Sequence, residues 1–111
     1  MAVNVSWILS ELRKAYGGKL IVVTYYARDY SDSADVLITN ALDGYLASVA
    51  NLWGAVVADG FAAFRPTSVA VGGSACKAGL LIVTASSPLT CDVHPSPAGR
   101  HLLAQAVVAA A

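Results

Sequence analysis

Two side chains near the end of the chain could do proton chemistry. Asp92 and His94 stand two positions apart in the stretch Cys91-Asp92-Val93-His94-Pro95-Ser96-Pro97-Ala98-Gly99. A neutral imidazole, with an ordinary pKa of about 6.5, can take a proton and return it near neutral pH. A carboxylate two residues back can orient that ring if the backbone is extended, because positions i and i+2 then point to the same side. The residues that follow hold the pair in place. Ser96 can accept from the first free N–H groups of a helix, and Pro97 suits the first helical position, where an N–H would lack an intrahelical partner. The helix running through Leu102, Leu103, Val107 and Val108 fixes the loop, and the loop presents His94.

Other reactive residue types are weaker sites. His101 falls on the closing helix and reads as an exposed helical side chain. Ser74-Ala75-Cys76-Lys77 has the bare S-x-x-K spacing of penicillin-binding enzymes, but the Ser-Asp-Asn and Lys-Thr-Gly partners of that mechanism do not occur, nor does a Gly-x-Ser-x-Gly elbow. Cys76 and Cys91 form no C-x-x-C pair, so the spacing supports neither redox catalysis nor a structural zinc site.

The elements that must position His94 follow from periodicity. Val5, Ile8, Leu9, Leu12 and Tyr16 recur at helical spacing, with Asn4 or Ser6 as the cap and Gly17-Gly18 as the stop. Leu20 to Tyr25 is an unbroken apolar run and predicts a parallel strand buried on both faces. Tyr26 to Ser33 is a polar loop at that strand's C-terminal end, where open α/β sheets bind ligands, so Arg28, Asp29 and Asp32 could reach a substrate or simply be solvated. Ser31, Asp32 or Ser33 caps a second helix, with an apolar stripe of Val36, Leu37, Ala41, Tyr45, Val49 and Leu52 and a costly Gly44 inside it. Ala55 to Ala58 predicts the next strand, completing a right-handed βαβ unit. Asp59 then caps a short turn through Gly60 to Phe64. Residues 65–90 read as one long irregular stretch, with Leu80 to Val83 as a short strand or a plug over the core. The expected fold class is α/β: two adjacent parallel strands, three helices and one long loop.

Composition excludes several functions. The net charge is zero, from seven basic and seven acidic residues, so the clustered basic footprint of a nucleic-acid binder is missing. No run reaches the roughly 18 to 20 apolar residues of a membrane span, and Met1 to Asn4 lacks the basic start of a signal peptide. At 57% hydrophobic and 13% charged, the 111 residues can fill a core and leave apolar surface for a partner.

Asp-Val-His-Pro followed by Gly99 and an Ala/Leu-rich helix resembles the last block of the SGNH (GDSL-type) esterases and lipases. Leu12-Arg13-Lys14-Ala15-Tyr16, Leu20 to Tyr26, and Val56 to Phe64 are similar to the second half of secreted bacterial members. The resemblance covers nearly the whole chain. It implies that residues 1–111 form the C-terminal part of a three-layer α/β/α hydrolase domain of about five strands. It also implies His94 as general base and Asp92 as the acid that orients it, with a small-molecule ester as substrate and no cofactor or metal. Many members place the acid three residues before the His, where this chain has Cys91; a two-residue separation occurs in the secreted branch, and a backbone carbonyl could also orient the ring. The family's Gly-Asp-Ser block, its oxyanion glycine and its Gly-x-Asn-Asp block do not occur here. The resemblance therefore implies a half without its own nucleophile, inactive alone, that pairs with an N-terminal half or self-associates. The other expectation is a non-catalytic module that associates through an open strand edge. Some members carry a cysteine pair at the positions of Cys76 and Cys91, which implies a disulfide and secretion; two reduced cysteines in a cytosolic chain are the alternative.

Overall fold

The computed structural model describes residues 2–111. Among them are four helices, α1 (Ala2–Ala15), α2 (Ser33–Leu52), α3 (Gly60–Val69) and α4 (Pro97–Ala110), and four strands, β1 (Ile21–Val23), β2 (Val56–Ala58), β3 (Leu81–Ser86) and β4 (Leu89–Pro95). The content is α/β. β1 and β2 pair in parallel, with Ile21 opposite Val56 and Val23 opposite Ala58. β3 and β4 form a separate antiparallel hairpin.

The βαβ unit β1–α2–β2 forms where the apolar runs predicted it. Asp32 is the residue that caps α2, its carboxylate accepting from the Ala34 and Asp35 N–H groups. The buried side of α2 differs from the expected stripe. Thr39, Leu46 and Ala50 are buried, whereas Leu37 and Leu52 are 71% and 72% exposed. Periodicity marks an apolar face but cannot say which of two apolar faces meets the sheet, and α2 is apolar on both. β1 is also less enclosed than a central strand. Val23 is 40% exposed, and the sheet holds one neighbour for β1.

α1 starts at Ala2, before either expected cap. Ser6 instead accepts from the Trp53 indole N–H at 3.0 Å. The Arg13 guanidinium donates to the carbonyls of Trp53, Gly18 and Gly54 at 3.0, 2.7 and 3.1 Å, which clamps α1 to the end of α2.

Two further corrections fall in the second half. The short turn after Asp59 is a full helix, α3, capped by the Asp59 carboxylate accepting from the Ala62 N–H. The stretch expected to be irregular up to Thr90 contains β3 and the start of β4. Asp92 and His94 therefore lie on a strand and not in a loop. Periodicity missed the hairpin because nearly all of β3 beyond Leu81 is exposed on both faces, so no buried-exposed alternation marks it.

The core sits beneath the root of that hairpin. Phe64, Ala75, Leu80 and Leu81 are buried together, with Tyr26, Tyr30, Leu102 and Leu103 packed around them. α4 is seated there as its sequence predicted. Ser96 caps it by accepting from the Gly99 N–H, and Pro97 opens the helix. Gly99 is needed for contact: a Cβ there would collide with the Leu80 carbonyl oxygen and lie 3.0 Å from the Phe64 ring.

Candidate active site

The site is built on an irregularity in the hairpin. Its register steps from Val83 opposite Cys91 to Leu81 opposite Pro95. Three residues of β4, Asp92, Val93 and His94, thus face the single residue Ile82. A bulge of this kind takes residues out of the ladder and re-aims their side chains. Both ends of the bulge are tied down. Cys91 and Cys76 sulfurs lie at disulfide distance, 2.06 Å. After Pro95, the Ser96 N–H donates to the Leu80 carbonyl at 2.9 Å and its hydroxyl donates to the Gly79 carbonyl at 2.6 Å.

Between those anchors, His94 Nδ1 and Asp92 Oδ1 are 2.9 Å apart. The hydrogen bond from His94 holds the Asp92 carboxyl below its usual range. Asp92 is therefore a carboxylate near neutral pH and can only accept, so in the neutral ring the proton sits on Nδ1 and Nε2 is bare. A bare Nε2 is the form a general base needs. His94 and Asp92 side chains are 72% and 45% exposed, so the pair meets solvent.

His94 borders an open pocket of about 560 Å³. Tyr25, Tyr26, Ile38, Leu42 and Val93 supply apolar walls, and Arg28, Asp35 and Thr39 supply polar ones. Such a pocket can hold a small, partly apolar group next to an imidazole. Tyr25 and Tyr26 follow β1 after Thr24, at the C-terminal end of a parallel strand. The sequence reading placed the polar loop there and passed over the two tyrosines; an aromatic pair at a strand's C-terminal end was the available signal.

The remaining sequence-derived candidates separate. Arg28 borders the His94 pocket. Asp29 accepts from the Ser31 N–H and hydroxyl, which lowers its pKa, and it bridges to Ser74 across the chain. Asp32 and Asp59 are helix caps. His101 lies on a different groove with Ala104, Gln105 and Val108. Ser74 accepts from the Lys77 N–H in a turn and does not border the His94 pocket. Among the described residues, no three His, Cys, Asp or Glu side chains gather as a metal site, and no helix is long and apolar enough to cross a membrane.

No family model, curated protein or solved structure matches this chain.

Proposed function

We propose that this chain is the general-base half of a carboxylic-ester hydrolase of the SGNH type. The observation that carries the reading is the Asp92–His94 contact at 2.9 Å through Nδ1, on a histidine that borders the pocket. In the reaction, Nε2 of His94 takes the proton of a serine hydroxyl as that oxygen attacks the ester carbonyl. The protonated ring then gives the proton to the departing alcohol, and the cycle repeats with water in place of the serine. Asp92 keeps the Nδ1 proton in place and stabilises the imidazolium. The serine and the oxyanion donors come from another segment, because the Gly-Asp-Ser and Gly-x-Asn-Asp blocks are not in these 111 residues. On this reading β1 and β2 belong to a larger sheet in a three-layer domain. A formed Cys76–Cys91 bond requires an oxidising compartment, which agrees with secretion.

A second reading is favoured by a different observation. Among the described residues β1 has a neighbour on one edge alone, and Leu37, Ile38 and Leu52 of α2 are exposed. A self-associating, non-catalytic module would use those surfaces.

One assay separates the two. Hydrolysis of a short-chain nitrophenyl ester is measured for the chain alone and for the chain co-expressed with an N-terminal SGNH half bearing Gly-Asp-Ser. The enzyme reading expects no triad-level turnover alone, and turnover in the pair that His94→Ala abolishes. A pair that assembles but turns over equally with His94→Ala would overturn it. Strong turnover by the chain alone, lost in His94→Ala, would place a serine nucleophile within these 111 residues.

A further inference from the structure

The bulge at Asp92 to His94 raises a physical question: what holds three residues that have left the β3–β4 ladder? The register leaves Val93 without a partner strand at this point. Its carbonyl is held from another part of the chain. The Tyr26 hydroxyl donates to the Val93 carbonyl oxygen at 2.6 Å, across 67 residues of sequence. That carbonyl belongs to the peptide joining Val93 to His94, within the short backbone segment that sets the distance between the Asp92 and His94 side chains.

Tyr26 is itself held. Its ring stacks on Phe64 with centroids 4.1 Å apart and planes at 18°. Phe64 is fully buried and is the largest core side chain to be so. Its position also fixes Gly99, since a side chain at residue 99 would meet it. One rigid path therefore runs from the core through the Tyr26 ring to the backbone of the dyad. By contrast Tyr25, the neighbouring pocket wall, is half exposed, and among the described residues its hydroxyl makes no hydrogen bond.

We infer that Tyr26 is a positioning residue for the catalytic pair: its hydroxyl takes the place of the missing ladder bond and keeps Asp92 within hydrogen-bond reach of His94. This rests on the ester-hydrolase reading of the dyad. Tyr26 touches neither Asp92 nor His94 by a hydrogen bond, and it acts through the Val93 carbonyl. A hydrogen bond to an otherwise unpaired backbone carbonyl restrains that carbonyl's direction as well as its distance. When the donor is lost, water can satisfy the oxygen at this exposed site, but water does not fix the strand.

The test reads the pair itself. The Asp92 carboxyl is titrated by carbon NMR in the wild-type chain, Tyr26→Phe, Tyr25→Phe and His94→Ala. Tyr26→Phe keeps the ring on Phe64 and removes the donor alone; thermal melting of each variant monitors the fold. His94→Ala marks the midpoint of an unpaired Asp92. The inference expects Tyr26→Phe to move the midpoint upward by at least half of the interval between wild type and His94→Ala. Tyr25→Phe should stay at the wild-type value. A folded Tyr26→Phe chain with the wild-type midpoint would overturn the positioning role and leave the dyad intact. Identical midpoints in wild type and His94→Ala would overturn both the dyad and the role built on it.

Discussion

Asp43 accepts the Tyr25 N–H at 2.7 Å with one carboxylate oxygen and buries the other without a partner. Burial raises its carboxyl above the ordinary value of 3.8. Between 3.8 and the raised value, the folded chain keeps a proton that the unfolded chain has released. The stability linked to that proton is full below 3.8 and declines as pH rises through the folded value. Asp43→Asn keeps an acceptor for Tyr25 and cannot ionise. Its stability relative to wild type should improve from pH 3 to pH 7, as read by urea denaturation at the two values. An unchanged difference would mean that Asp43 ionises in the folded chain without cost. At this scale the sequence was informative where spacing was local. Two residues of extended chain were enough to suggest the Asp92–His94 contact. Tyr26 was not legible, because its partners Phe64 and Val93 are 38 and 67 positions away and no short-range pattern links them.

The elements divide in the same way. The starts of α2 and α4 were legible because caps are local: Asp32 and Ser96 act through N–H groups within three residues of themselves, whereas α1 begins ahead of both of its expected caps. The hairpin was not legible, since its bulges and exposed faces break the alternation that marks a strand. Gly44 gives a clean test of α2. A Cβ at that position meets nothing within 4 Å, so no close packing explains the glycine. Gly44→Ala should stabilise the chain by about 1 kcal/mol, the propensity difference at an exposed helical position. The opposite sign would reveal a contact on that face. Gly99→Ala should act in reverse. The methyl group is forced toward the Leu80 carbonyl and Phe64, and overpacking of this kind costs about 1–3 kcal/mol. The Cys76–Cys91 bond closes a separation of 15 residues, so replacing both with serine should cost about 3 kcal/mol in the chain-entropy model. Chemical denaturation under non-reducing conditions reads each of these.

Taken whole, the chain is more elongated than its length suggests. Its radius of gyration is 15.1 Å, against about 13 Å for a compact domain near 100 residues. It measures 49 Å along one axis and no more than 26 Å along the others. β1 hydrogen-bonds to β2 through Leu20, Val22 and Thr24 or their partners, so the backbone groups of Ile21 and Val23 face away from β2 by strand alternation. An edge with free N–H and C=O groups beside apolar side chains is a template for another strand. Light scattering over a dilution series should therefore give a mass that rises with concentration. A constant monomer mass, with cooperative unfolding, would mean that the two-stranded sheet is sufficient as it stands. The open edge of the Leu20 to Tyr25 strand was legible from its apolar run and its single expected neighbour, whereas the exposed Leu37, Ile38 and Leu52 of α2 emerged with the fold.

On the proposed mechanism, Asp92 sets the His94 ring so that Nε2 is the free base. Long-range proton–nitrogen NMR of the neutral His94 ring measures this on the intact chain. The wild type is predicted to carry its proton on Nδ1, and Asp92→Asn to shift the ring toward the Nε2–H form that a free histidine ordinarily favours. A wild-type ring already in the Nε2–H form, unchanged by Asp92→Asn, would contradict the claim.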